Sequence, residues 1–295
     1  MYLMKGGYDM QISLKSFFLF FLPALIFGGL LYYGVFWNIY IALTNYSLLH
    51  PVPEFTGLYS FQVLFNDYEF QMAFERTLLW VAVLVILGNI VGLLIATAIF
   101  QIENSKIRNA LTAFFVYPMS LSMIVVGIMW RWIFDPYKGI DVMLKSLGMS
   151  SIDWLTGYNA FWSLSLVSVW VYAGFSAMLY LAAFYNIDRS LIESAMVDGA
   201  DTFTIMTKIV IPNSRQGLLI STIFLALFAI QMFALPYAVL FLNPFTETLV
   251  MYVYNKFVSQ YFFLASAAAI IIIVISAFIV IPYAMYGLKK WIVRR

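Results

Sequence analysis

Of 295 residues, 64% are hydrophobic and 10% charged, at a mean hydropathy of +0.92. Soluble domains carry about a quarter charged residues, so this chain must bury its surface against lipid. A balance of 16 basic against 14 acidic residues, with the basic ones at the edges of apolar runs, excludes a nucleic-acid face, and zero cysteines with the single His50 exclude thiolate, disulfide and histidine-built metal sites.

Six stretches free of Lys, Arg, Asp and Glu are each long enough to cross a hydrocarbon core of about 30 Å as a helix, at about 1.5 Å per residue. They define an all-α polytopic membrane protein, a single domain over residues 1–295, because barrel strands would alternate in polarity and these do not. The first, 16–46, is too long for a signal-peptide core and has no small-x-small cleavage pattern behind it, so it reads as a retained span. The second, 77–100, holds Gly88 and Gly92 at a spacing that lets helices approach closely around Asn89. The third covers 110–130, and an excursion from Ile133 to Asn159 with Asp135-Pro136 and Trp154-Leu155 caps the bundle before the fourth, 160–185. The fifth and sixth, 217–242 and 257–288, are separated by a short segment from Asn243 to Lys256. Glu75 and Arg131 sit at span ends, where long side chains reach the interface. With the N-terminus in the cytoplasm, eleven of the sixteen basic residues fall inside, which predicts cytoplasmic termini and a cytoplasmic segment at about 186–214.

That segment reads as a helix-turn-helix. Ser190 and Glu193 have the S-x-x-E spacing of a capping box, Asp198-Gly199 ends the first helix, Phe203, Met206, Ile209 and Val210 recur at helical spacing, and Pro212 stops the second helix. A hairpin lying on lipid is the plain reading. Three acids, Glu193, Asp198 and Asp201, sit poorly against an anionic leaflet and well in a pocket of a soluble protein partner.

No GxxxxGK[ST] phosphate loop occurs, and the spans carry no central carboxylate or histidine that could bind and release protons, so an energised function needs an outside source. An ion-coupled transporter with a merely structural hairpin is the competing class. An intramembrane enzyme lacks any catalytic constellation, and no catalytic residue is assigned. Polar groups inside the spans that could line a substrate path are Asn89, Tyr117, Ser120, Ser122, Tyr172, Tyr180, Gln231 and Tyr237. Gln231 stands out at mid-span of the fifth helix, where its amide either bonds another helix or meets substrate.

The run Glu193-Ser194-Ala195-Met196-Val197-Asp198-Gly199-Ala200, followed by Phe203, Ile209 and Ile211-Pro212, resembles the Glu-Ala-Ala loop of membrane permeases in binding-protein-dependent ABC importers. Leu22-Pro23-Ala24, Phe55-x-Gly57-Leu58, the run from Trp130 to Pro136 with Gly139, and Trp170 with Gly174-Phe175 look like the carbohydrate-type permeases of the maltose and glycerol-phosphate branch. The resemblance implies a multi-pass subunit of the cell membrane that pairs with a second, different permease subunit. It further implies two ATPase subunits holding ATP and Mg, an extracytoplasmic binding protein delivering a monosaccharide such as glucose or a short oligosaccharide, and no cofactor on this chain. Glu193-Ser-Ala for Glu-Ala-Ala exchanges one small residue for another. Phe36-Trp37 replaces a frequent Tyr-Pro, and Asn243-Pro244-Phe245-Thr246-Glu247-Thr248 stands where the family often has Gly-Gly-Pro.

Overall fold

The computed structural model describes residues 14–293. In chain order its helices are α1 (Leu14–Ala42), α2 (Tyr59–Asn66), α3 (Tyr68–Phe100), α4 (Ser105–Val116), α5 (Met123–Ile133), α6 (Ile140–Ser146), α7 (Gly157–Tyr185), α8 (Arg189–Val197), α9 (Thr202–Ile205), α10 (Ile211–Asn213), α11 (Arg215–Ile230), α12 (Ala234–Leu240), α13 (Leu249–Val258) and α14 (Phe262–Val293). Five stretches among the described residues are long and apolar enough to cross a membrane, and the bent pair α4–α5 makes six if it is counted as one.

The third expected span is therefore not one straight helix. Ser105–Ser120 and Met123–Ile133 meet at 95°. The chain tightens into a 3-10 turn over Tyr117–Ser120 with Pro118 near its start, then extends through Leu121 and Ser122 before α5 begins. Proline removes an amide and crowds the preceding turn, so a continuous α-helix through this point is unfavourable. The fifth expected span is also interrupted: α11 ends at Ile230, residues 231–233 leave the helical path, and α12 restarts with Pro236 in its first turn, where a missing amide costs nothing. The expected sixth span starts at Phe262, because Phe257 belongs to α13.

Packing is built on α3 and α7, which run parallel: Trp80, more than three turns into α3, meets Phe161 near the start of α7, and Phe100 meets Phe184 near the ends of both. α11 runs antiparallel to both, with Gly217 against Ala183, Ser221 against Ser176, and Phe228 on Tyr172. Gly174 carries a close crossing, since a Cβ there would overlap the backbone carbonyl of Phe115 on α4. One apolar cluster at the α3–α7–α11–α12 centre contains Trp80, Leu84, Leu164, Leu225 and Leu235. A second joins α1, α2, the start of α3, α13 and α14 around Leu64, Phe70 and Tyr252. Apart from its last turn α1 is largely exposed at its described positions, although half-buried Asn38 bonds the Ser266 carbonyl of α14 and Tyr46, just after the helix, stacks on Phe262. The 186–214 segment thus lies at one end of the bundle, and the first turns of α3 and α14 lie at the other.

Candidate functional site

The 186–214 segment is assembled by local caps. α8 starts behind Asp188, whose carboxylate accepts from the Ser190 amide at 3.0 Å. This corrects the capping box expected on Ser190, which lies inside the first turn. An anionic cap suits the positive end of a helix dipole better than a neutral hydroxyl, and the Ser190 amide in turn holds the Asp188 carboxyl below its ordinary range. Glu193, instead of reaching back to an amide, pairs with Arg189 at 3.3 Å on the open surface.

α8 ends in a Schellman motif: Gly199 N–H bonds Met196 O at 3.1 Å and Ala200 N–H bonds Ala195 O at 2.9 Å, with Gly199 at φ +80°. Asp201 then caps α9, accepting from the Thr204 amide at 3.0 Å, and the Thr204 side chain and amide keep its carboxyl below the usual range. Pro212 does not end the second helix. The helix runs from Thr202 to Asn213, with a π turn over Met206–Val210 in which the Ile211 amide bonds Met206 O. Pro212 offers no amide, and its ring would crowd the carbonyl four residues back, so a wider turn just before it relieves the conflict.

Ile205, Met206 and Val210 are buried against Ala96, Ile99, Tyr180 and Phe184, with Ile192, Ala195, Ala200 and Ile211 packed beside them. Glu193, Ser194, Asp198, Gly199 and Pro212 face outward and Ile209 is half-buried. At the tip three apolar side chains stand free of the bundle: Val197 is 88% exposed, Phe203 74% and Met196 60%. The segment is fixed to the bundle along one side and presents an apolar, acid-flanked knob on the other.

The groups proposed for a substrate path separate into two sets. Asn89, Tyr180 and Tyr172 are buried: Tyr180 donates to Asn89 Oδ1 at 3.0 Å, Asn89 Nδ2 donates to Val85 O and Thr222 Oγ1, and Tyr172 stacks on Phe228 at 4.7 Å. Tyr117, Ser120 and Ser122 are exposed at the α4–α5 bend. Gln231 is not at mid-helix; it closes α11, is exposed, and its amide side chain has no hydrogen bond among the described residues. Below it Phe233 stacks on Tyr237 and Phe241 lies tilted against Tyr237, each pair at a centroid distance of 4.9 Å, and Tyr254 of α13 lies edge-on to Phe233 and Tyr237. Both helix breaks border the same apolar cluster, through Met119 and Met123 on one side and Met232 and Leu235 on the other. The Phe233 ladder and the Asp188 cap escaped sequence reasoning; aromatic spacing of four residues from Phe233 to Phe241 was the available signal for the first.

Residues 88–293 match the family described as binding-protein-dependent transport system inner membrane component. The chain is 37% identical over 275 residues to the glucose import system permease protein GlcT of Saccharolobus solfataricus, covering 92% of this chain and 96% of that one. It is 26% identical over 223 residues to the xylose/arabinose import permease protein XacH of Haloferax volcanii, covering 74% and 69%. The structure of a bacterial alginate ABC transporter in complex with alginate pentasaccharide-bound periplasmic protein contains a chain of the same fold, with TM-score 0.77 and 23% identity over 90% of this chain and 92% of that one. The chain belongs to the family of inner-membrane components of binding-protein-dependent transport systems. It is a multi-pass permease subunit and not an enzyme.

Proposed function

We propose that this chain forms half of the membrane path of an ATP-driven sugar importer. It pairs with a second permease subunit of different sequence, stands on two ATPase subunits that hold ATP and Mg, and receives a monosaccharide such as glucose, or a short oligosaccharide, from an extracytoplasmic binding protein. The observation that carries the reading is the knob formed by Met196, Val197 and Phe203 around the left-handed Gly199. Apolar side chains held out on a short, capped helix between acidic residues fit a cleft in a soluble partner and are poorly placed on an anionic membrane surface. Closure of the ATPase pair would move that helix, and the residues buried behind it would carry the movement into α3 and α7 as rigid bodies.

The excess of basic residues on one side supports cytoplasmic termini and a cytoplasmic 186–214 segment, with the first turns of α3 and α14 outside. The sugar assignment draws on the import substrates named for the relatives. Gln231, with an unspent amide, and the Phe233–Tyr237 face are the substrate-contacting groups, since a neutral sugar needs an amide or hydroxyl partner beside an aromatic face. Tyr117 and Ser122, exposed at the other helix break, complete the polar lining; Asn89, Tyr172 and Tyr180 stiffen the wall behind it.

The test is purification of tagged chain from native membranes, followed by ATP hydrolysis with candidate sugars and their binding protein. Two ATPase copies, a second permease and sugar-stimulated hydrolysis are expected. Recovery of the chain alone would remove this reading and restore the ion-coupled one.

A further inference from the structure

The segment Asn243–Leu249 is wedged into the end of the bundle opposite the knob. Asn243 organises it, accepting backbone amides from Thr246 at 3.0 Å and Glu247 at 2.9 Å and, through Oδ1, from Phe245 at 2.9 Å. Thr248 Oγ1 then donates to Met232 O, inside the α11–α12 break, at 2.6 Å, and the Leu249 amide donates to Thr77 Oγ1 of α3 at 2.9 Å. Phe245 rests edge-on against Tyr158 at the start of α7. One short segment therefore ties three helices together beside the break that holds Gln231.

Glu247 lies inside this wedge. It is 9% exposed, and its Oε1 is buried with no hydrogen-bond partner among the described residues. The charged and titratable groups close enough to act on it through their fields are Asp67 and Glu69 at the start of α3 and Tyr252 and Lys256 on α13. The one cation in that set is already shared: Lys256 Nζ lies 3.1 Å from Asp67 Oδ2 and 2.9 Å from Glu69 Oε2, and Tyr252 Oη donates to Asp67 Oδ2 at 2.7 Å. Arg76, buried further along α3, stacks over Tyr158 at 5.0 Å and pairs with Glu75 at 3.8 Å; no ion pair joins it to Glu247. Glu247 is thus a third carboxylate in the field of a lysine already paired twice, and its buried Oε1 has no donor among the described residues.

We propose that Glu247 is a proton-binding latch. Protonated, it lets the Asn243–Leu249 wedge seat against α3, the start of α7 and the α11–α12 break; ionised, it loosens the wedge, so this end of the bundle responds to the pH of the medium that bathes it. A buried carboxylate without a donor favours its neutral form. Burial first, then repulsion from Glu69 and Asp67 partly offset by Lys256, pushes the Glu247 carboxyl up to about 7. Because the folded value lies above the ordinary carboxylate value of 4.5, the stabilisation is complete at acidic pH and is lost as pH rises through neutrality. Asp67, held below its ordinary range once its hydrogen bonds from Tyr252 and Lys256 overcome burial, does not change charge in that window, nor does Lys256, which its two carboxylates hold above its own.

The cysteine-free chain allows a local test in the assembled transporter. Thr246→Cys, at a position with no exposure, is labelled with a small maleimide, and Ser146→Cys on the exposed face of α6 serves as reference for the pH dependence of the thiol itself. The ratio of the two labelling rates is expected to rise about tenfold between about pH 5.5 and about pH 8.5, as opening of the wedge becomes easier. Adding Glu247→Gln, which cannot ionise, should flatten the ratio across that range. Adding Glu69→Gln should keep the rise but move it to lower pH, because a repelling charge is gone. A flat ratio in the parent, or a rise that survives Glu247→Gln, overturns the latch. If the Glu247→Gln variant does not assemble, an unmoved midpoint in Glu69→Gln overturns it. None of these readouts needs sugar or ATP, so failure of the latch and failure of the importer reading are separable.

Discussion

Tyr180 on α7 donates to Asn89 Oδ1 on α3 at 3.0 Å while the Asn89 amide reaches Thr222 on α11, so one side chain joins three helices. Gln231, a few turns along α11, makes no such bond among the described residues. Tyr180→Phe is expected to lower the stability of the solubilised chain by about 0.6 kcal/mol, and Asn89→Leu by up to about 1.7 kcal/mol, with uptake affinity little changed. Gln231→Leu should do the reverse, depressing sugar uptake while the melting temperature stays put. Thermal unfolding in detergent, set beside uptake in vesicles, checks both halves, and an equal effect of Tyr180→Phe and Gln231→Leu on affinity would refute the division.

The caps of the 186–214 segment separate two side chains that the sequence alone leaves confused. Asp188→Ala should expose the first amides of α8, with hydrogen exchange there roughly fivefold faster, whereas Ser190→Ala should leave them protected. The Asp188 carboxyl lies below its ordinary range, so its support is present at neutral pH and fades as pH falls through the carboxylate range. Exchange that accelerates equally in both variants would return the cap to Ser190.

Gly199→Val places a β-branched residue at φ +80°, a cost of about 1 to 2 kcal/mol, and thickens the tip of the knob. Glu193→Lys removes an exposed pair with Arg189 worth at most about 0.5 kcal/mol. Neither should prevent membrane insertion, and both should weaken ATPase capture and abolish sugar-stimulated hydrolysis. If both variants retain the ATPase and transport at the parental rate, the knob is not the coupling element.

At Gly174 the α4–α7 crossing leaves no room even for a methyl group, because the Phe115 carbonyl occupies the position. Gly174→Ala is expected to destabilise by about 1 to 3 kcal/mol, the range for overpacking, and to lower the amount of folded protein in the membrane. Gly148→Ala, where nothing lies near, serves as the comparison, carrying only the strain of its φ of +77°.

Much of this architecture can be read from charge-free runs, since lipid imposes a length and an apolar composition that no soluble context imitates. Asn89 between Gly88 and Gly92 announced a close helix contact, and the contact is there. The breaks at Tyr117–Ser122 and Gln231–Phe233 were hidden because an apolar stretch keeps its composition whether straight or broken; only Pro118 and Pro236 marked them, and a proline alone does not say which way a helix will turn. Glu247 was hidden differently. Its burial follows from three helices meeting, which no spacing within one segment encodes.

The π turn at Met206–Val210 sets the phase of the whole knob. A wide turn spends one residue more than an α turn over the same rise, so removing one residue there, Thr207 for instance, would restore ordinary helical bonding. The shortened helix would be locally more regular and would hold Thr202–Ile205 in nearly the same phase relative to α11, whereas keeping every residue and forcing the stretch into ordinary α turns would rotate everything before it by about 100°. Phe203 would then swing from the open side toward a neighbouring face, and the knob would point past its partner. The irregular turn behaves as a clocking device, absorbing the one residue that would otherwise set the knob to a different hour.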